Sequence, residues 1–162
     1  MEIMFKHILL AVDGSGTSDL ALSAAAELAR EQQADLRIIH VVDAVMLDVF
    51  APIDMYTPLN PPTPIAVEEY REAIRKSGQA ILARAKAAAE KAGVQTETKL
   101  LEIETAGGRI AERVADEAKD WPADLIVIGT HGRRGLSHLF LGSVAESVIR
   151  IAPKPVLLVR GK

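Results

Sequence analysis

Cysteine is absent from the 162-residue sequence, which excludes disulfides, thiolate nucleophiles and cysteine-ligated metals together. Aromatic residues are scarce at 4%, and the formal net charge is −3. Both features argue against nucleic acid as a partner, because neutralising phosphates takes a basic patch. No apolar run approaches the roughly 20 residues that span a bilayer, so no membrane partner is expected. The opening Met1-Glu2-Ile3-Met4-Phe5-Lys6 lacks a secretory signal's apolar stretch and small-residue cleavage site, and the chain reads as cytoplasmic. The four histidines, His7, His40, His131 and His138, show neither HxxxH nor HxH spacing, so no metal ligands are assigned.

What is present fits one globular domain over residues 1–162, with 49% apolar and 25% charged residues. Strands are predicted at His7 to Val12, Leu36 to Val42, Gln95 to Ile103, Ala123 to Ile128 and Val156 to Val159. Helical periodicity covers Thr17 to Gln33, Ala66 to Ala92, Gly108 to Lys119 and Gly142 to Ala152. Gly93 reads as a helix stop, and Pro153 and Pro155 fence off the last helix. This alternation predicts an α/β fold, a doubly wound five-stranded parallel sheet with helices on both faces.

Strand polarity suggests the order. Gln95 to Lys99 is polar, as an edge strand facing water is, whereas the first, second and fourth strands are nearly all apolar. The order 3-2-1-4-5 satisfies this and puts a topological switch between strands 1 and 4, where such sheets bind ligands beyond their carboxyl ends. At the other edge, Val156-Leu157-Leu158-Val159 is an apolar pairing hazard, and a homodimer through 156–159 would cover it. The connection from Asp43 to Pro64 carries five prolines and the apolars Phe50, Met55 and Tyr56; it is a candidate lid, or a contact surface for an unidentified protein partner.

The residues around the fourth strand carry the chemistry. Gly129-Thr130-His131-Gly132, nine further residues and Gly142-Ser143 surround the strand's end with glycines. Gly129 can take positive φ and brings no Cβ, so the backbone can turn sharply there and a ligand can come close to the main chain. The helix opened by Gly142-Ser143 offers unpaired N–H groups and a positive dipole end, which together favour a triphosphate. A second reading coexists with this one: Ser143-Val144-Ala145-Glu146 is a capping box that satisfies those donors without a ligand. Asp13-Gly14-Ser15-Gly16 follows strand 1 across the switch, and Asp13 there is either a turn-former and cap or a ligand contact. Arg133-Arg134 suits a local phosphate contact. Leu136, Leu139, Phe140 and Leu141 read as packing residues, and Ser147 as an ordinary helix position.

The glycine spacing, with the opening Ile8-Leu9-Leu10-Ala11-Val12-Asp13-Gly14-Ser15 and with His40-Val41-Val42, resembles the ATP-binding branch of the universal stress protein family over almost the whole chain. The resemblance implies the 3-2-1-4-5 sheet and dimerisation through the last strand. It implies that Asp13 lies against the ribose and phosphates, and that main-chain groups of Val41 meet the adenine edge. Gly129, Gly132, Gly142 and Ser143 would cradle the phosphates, with His131, Arg133 and Val144 completing the ATP-binding set. Any Mg²⁺ would sit among the phosphates. The implied function is an ATP-binding stress-response regulator, with occupancy acting as a switch in a homodimer. No catalytic residue is assigned, because there is no GxxxxGK[ST] motif and no lysine in the glycine loop. Two alternatives remain open: a weak Mg-dependent ATP hydrolase or nucleotide-transfer enzyme using Asp13 with His131 or Arg133, and a partner-binding module using the 43–64 loop. The Ser-Gly-Gly-x-Asp-Ser of related adenylating architectures and the clustered acids of response-regulator receivers are both missing.

Overall fold

The apolar runs of the sequence become the strands of a central sheet. In the computed structural model, which describes residues 4–44, 64–105, 109–131 and 141–161, the strands are β1 (His7–Ala11), β2 (Asp35–Asp43), β3 (Thr96–Ile103), β4 (Leu125–Gly129) and β5 (Val156–Val159). Four helices alternate with them among the described residues: α1 (Gly16–Gln32), α2 (Pro64–Lys91), α3 (Ile110–Asp120) and α4 (Ser143–Ile151). All four strand pairings are parallel and the order is β3-β2-β1-β4-β5, as strand polarity predicted.

Side chains alternate across the sheet with a period of two. Ile8, Leu10, Ile38 and Val127 meet α1 and α2 on one face, while Leu9, Ile39, Ile126 and Ile128 meet α3 and α4 on the other. Ile8, Leu9 and Leu10 have no exposed surface, as a central strand covered on both faces requires. Glu97, Thr98 and Lys99 are exposed on the β3 edge, and Leu157 is 38% exposed on β5.

Several boundaries differ from expectation for local reasons. β4 extends through Gly129 because that residue pairs with Val159. β1 stops at Ala11, although Val12 still donates to the Ile39 carbonyl at 2.9 Å. α2 begins at Pro64, since proline at the first helical position gives up only an N–H that has no helical partner. Gln33 closes α1 in a left-handed conformation, φ 55°, and Gly93 follows α2 at φ 82° as the expected stop. Gly108, the expected start of α3, and residues 45–63 of the long connection lie outside the described residues.

A charged cluster ties α3 to the β2–β3 edge. Glu117 is buried on α3 and accepts from Arg37 at 2.8 Å and from Lys99 at 2.7 Å. Arg37 also binds Glu97 and lies 4.7 Å above the Trp121 ring. Glu117 is the buried member of the cluster, and its two cationic partners offset the cost of desolvating it.

The amino end of the sheet is held by one carboxylate. Asp124 accepts the N–H of Lys6 at 2.7 Å and of His7 at 2.9 Å. The Lys6 bond is the main cause that holds its pKa below the ordinary aspartate value. A carboxylate with a depressed folded pKa contributes stability above its unfolded pKa and loses it as pH falls through the folded value. Urea midpoints followed from pH 6 to about pH 2.5 are therefore expected to fall more steeply for the parent than for Asp124→Asn. Parallel curves would remove Asp124 from the acid response.

Candidate functional site

β1 feeds α1 on one face of the sheet and its neighbour β4 feeds α4 on the other, so the chain parts at their carboxyl ends. That divergence is what opens a crevice in doubly wound sheets.

One wall is the turn after β1. The Asp13 carboxylate accepts the Ser15 N–H at 2.9 Å, and Ser15 in turn caps α1 by accepting the Ser18 N–H at 3.2 Å. Gly14 takes φ 79°, the left-handed step such a turn demands. The turn-forming role of Asp13 is therefore real, while the cap itself is Ser15. Arg84 of α2 reaches this turn, 3.4 Å from the Gly14 carbonyl and 3.6 Å from Asp19.

The facing wall is the end of β4. Thr130 is buried, donates its N–H to Val159 at 2.9 Å and accepts the Gly142 N–H at 2.8 Å, which ties the start of α4 to the strand. Its hydroxyl lies 2.8 Å from His131 Nδ1. His131 Nε2 is buried with no hydrogen-bond partner among the described residues.

Of the two freedoms expected at Gly129 one is used, and the capping box needs correction. Gly129 is not a positive-φ residue; the described glycines with positive φ are Gly14 and Gly93. What it supplies is space, since a Cβ there would lie 2.9 Å from Thr17 Cγ2 and 3.2 Å from the Thr17 backbone. The capping box does not form either. Gly142 is the N-cap, with no side-chain cap bond, and Ser143 is already helical. Glu146 instead turns outward to Arg150 at 2.7 Å, a pairing one turn along the helix that competes with any reach back to the N-cap. The Gly142 N–H is taken by Thr130, so the donors at this helix start without a partner among the described residues are those of Ser143, Val144 and Ala145. The Val144 side chain packs on the core between the sheet and α3 and α4, which leaves its N–H as its contribution.

Val41 borders the crevice from β2. Asp35 N–H donates to Lys6 and Ile39 accepts from Val12, so alternate β2 residues face β1 and the main chain of Val41 faces that side too. It stands two residues past Ile39, the last β2 residue paired with β1.

Asp13, Val41, Gly129, His131, Gly142, Ser143 and Val144 thus gather at the carboxyl edge of three adjacent strands. Gly132 and Arg133 lie outside the described residues, as do Leu136, Leu139 and Phe140. Arg84, Thr17 and Thr130 were missed. Arg84 and Thr17 come from other helices and gave no local signal, whereas Thr130 sat inside the glycine motif without being singled out. Among the described residues, no group of three or more histidine and carboxylate side chains is placed to hold a metal, and no helix is long and apolar enough to cross a membrane. A separate recess of about 480 Å³ runs along the α1–α2 seam from Asp19 to Arg30. It is a furrow between the facing sides of two helices and holds none of the glycine-loop residues, so the β1–β4 crevice is the better candidate.

Comparison with known proteins agrees with this fold. The model of the universal stress protein family matches residues 4–160. Universal stress protein YxiE of Bacillus subtilis is 39% identical over 158 residues, covering 97% of this chain and all of its own. A solved universal stress protein from Burkholderia pseudomallei is 34% identical, with a TM-score of 0.72 and 98% of each chain covered. Another, from Archaeoglobus fulgidus in complex with dAMP, is 25% identical, with a TM-score of 0.61 and coverage of 96% of this chain and 98% of its own. A family match from the first strand to the last, on a sheet of this order, means that the chain belongs to the universal stress protein family.

Proposed function

We propose that this chain is an ATP-binding regulatory protein of the cytoplasm, a single domain over residues 1–162 whose nucleotide occupancy acts as a switch in a homodimer. The observation that carries the reading is the start of α4, which has no side-chain cap and whose first-turn N–H groups have no partner among the described residues, beside the β1–β4 crevice. A triphosphate satisfies donors of this kind. His131 supports the same reading, because a buried nitrogen without a partner is costly and a phosphate oxygen would relieve it. With the Thr130 hydroxyl as donor to Nδ1, the ring proton sits on Nε2, available to that oxygen. The dAMP bound by the Archaeoglobus fulgidus relative supports an adenine nucleotide as the class of ligand.

In this reading Val41 meets the base, the Asp13–Gly14 turn borders the ribose, and the N–H groups of Ser143 and Val144 hold phosphates, with Gly132 and Arg133 adding to them. Mg²⁺, where it takes part, is held by the phosphates, since no group of three or more histidine and carboxylate side chains among the described residues is placed to hold a metal. The half-buried apolar edge of β5 is the proposed dimer seam.

The test is calorimetric titration of nucleotide-free protein with ATP, with and without Mg²⁺, followed by chromatography of the nucleotide and sedimentation of the complex. One site per chain, intact ATP and a two-chain mass are expected. Absence of both heat and thermal stabilisation would overturn the ATP assignment, and a single-chain mass would remove the dimer. Turnover abolished by Asp13→Ala would replace the switch with a hydrolase.

A further inference from the structure

The ladder between β1 and β2 stops one rung early, and a side chain occupies the missing position. Asp35 N–H donates to Lys6 C=O at 2.8 Å, and Val12 N–H donates to Ile39 C=O at 2.9 Å. Parallel strands repeat this exchange every two residues, so the next rung is Val41 N–H to Val12 C=O. That bond is not formed. The Val12 carbonyl instead lies 2.7 Å from His40 Nδ1. A carbonyl only accepts, so Nδ1 carries the ring proton and donates it.

The ring is held there from behind. A Cβ at Gly78 of α2 would lie 3.0 Å from His40 Cδ2 and 2.7 Å from Leu100 Cδ1, so the helix backbone closes directly over the imidazole. Glycine at this position is what lets α2 approach so near. The imidazole is thus clamped between a helix and the last carbonyl of the β1 ladder.

We infer that His40 is a positioning residue that keeps the Val41 main chain open for a base, by giving the Val12 carbonyl a side-chain donor in place of the Val41 N–H. The inference rests on the nucleotide reading above and names the part of the ligand this edge selects. An N–H and a C=O presented side by side match a base edge with adjacent acceptor and donor, as adenine has at N1 and its 6-amino group. The hypoxanthine edge presents the reverse order, N1–H beside a carbonyl, and leaves both Val41 groups facing like partners. A rung closed between Val41 and Val12 would remove the donor and with it the choice between the two bases.

The test has one arm without nucleotide and one with it. In the nucleotide-free parent, amide exchange measured by NMR is expected to show Val41 N–H unprotected beside a protected Ile39, and ¹⁵N shifts are expected to place the His40 proton on Nδ1. A protected Val41 N–H, or a proton on Nε2 alone, overturns the inference whatever the protein binds. His40→Leu is expected to let the rung close and protect Val41, while His40→Asn, which keeps a donor near the Nδ1 position, leaves Val41 exchanging. In the second arm, His40→Leu should bind ATP roughly tenfold more weakly and lose its preference for ATP over ITP, as fits the loss of one or two main-chain bonds. Its affinity for inorganic tripolyphosphate should be unchanged. Equal losses for ATP and tripolyphosphate would mean general damage to the site and overturn the positioning role. Failure of the parent to bind any of the three removes the nucleotide reading and leaves the exchange result standing.

Discussion

Gly142→Asp is expected to fold at least as well as the parent and to bind ATP at least about 100-fold more weakly, a loss of roughly 2.7 kcal/mol. Gly142 is the N-cap of α4, with φ −62° and ψ 147°, a conformation open to any L-residue. Aspartate is among the preferred residues at an N-cap, since its carboxylate accepts first-turn N–H groups and meets the positive end of the dipole. A stability gain of about 0.5 kcal/mol follows from replacing an uncapped glycine. The same carboxylate then occupies the donors that the phosphates require and sets a negative charge beside them. Two unit charges about 4 Å apart at an effective dielectric near 20 repel by about 4 kcal/mol, more than enough for the loss. Thermal unfolding without nucleotide and calorimetry with it separate the two effects. A variant that gains stability yet keeps ATP would put the phosphates somewhere other than the start of α4.

The fold was legible because it rests on composition along each strand. The unbroken apolar run Leu125 to Ile128 and the polar stretch Gln95 to Lys99 each report how many faces of a strand are covered, and strand order follows from that. Asp13, Val41 and the glycines were named from the family resemblance, and each lies within one loop or one strand end at the carboxyl edge of the sheet. What stayed hidden depends on the phase of one element against another. Nothing in the sequence near Gly78 says that α2 sets its glycine on the His40 ring, or that Arg84 of the same helix reaches the Gly14 carbonyl seventy positions back. The capping box was misread for a related reason. Ser143 and Glu146 have the right spacing, but the Gly142 N–H is pinned to the Thr130 carbonyl, which makes Gly142 the boundary and brings Ser143 into the helix. Glycine's two uses look identical in a sequence: freedom of φ at Gly14 and Gly93, and absence of a side chain at Gly129 and Gly78.

That distinction makes the outcome at Gly129 predictable in size and in kind. Gly129→Val is expected to destabilise the chain by about 3 kcal/mol or more, the upper range for overpacking a filled interior. For a domain of this length the loss corresponds to a fall in Tm of about 6–12 °C. Gly129 is buried in β4 between β1 and β5, and its missing Cβ is the space occupied by Thr17 in the first turn of α1. In Gly129→Ala the closest approach, 2.9 Å, is to the Thr17 methyl, and the 3.2 Å approaches are to its backbone. Thr17→Ser removes that methyl, so it should recover part of the alanine variant's loss, which is expected to be about 1 kcal/mol. It should recover little in the valine variant, whose branches drive into the helix backbone itself. A double-mutant cycle by urea denaturation measures the difference. Full recovery of the valine variant by Thr17→Ser would show that the backbone contact does not limit the site. Because the displaced α1 start carries the Ser15 cap and the Asp13–Gly14 turn, Gly129→Val is also expected to weaken ATP binding, with loss of stability and loss of binding moving together. At Gly142 the two move in opposite directions, and this contrast separates a glycine that makes room for a helix from one that leaves a helix end open.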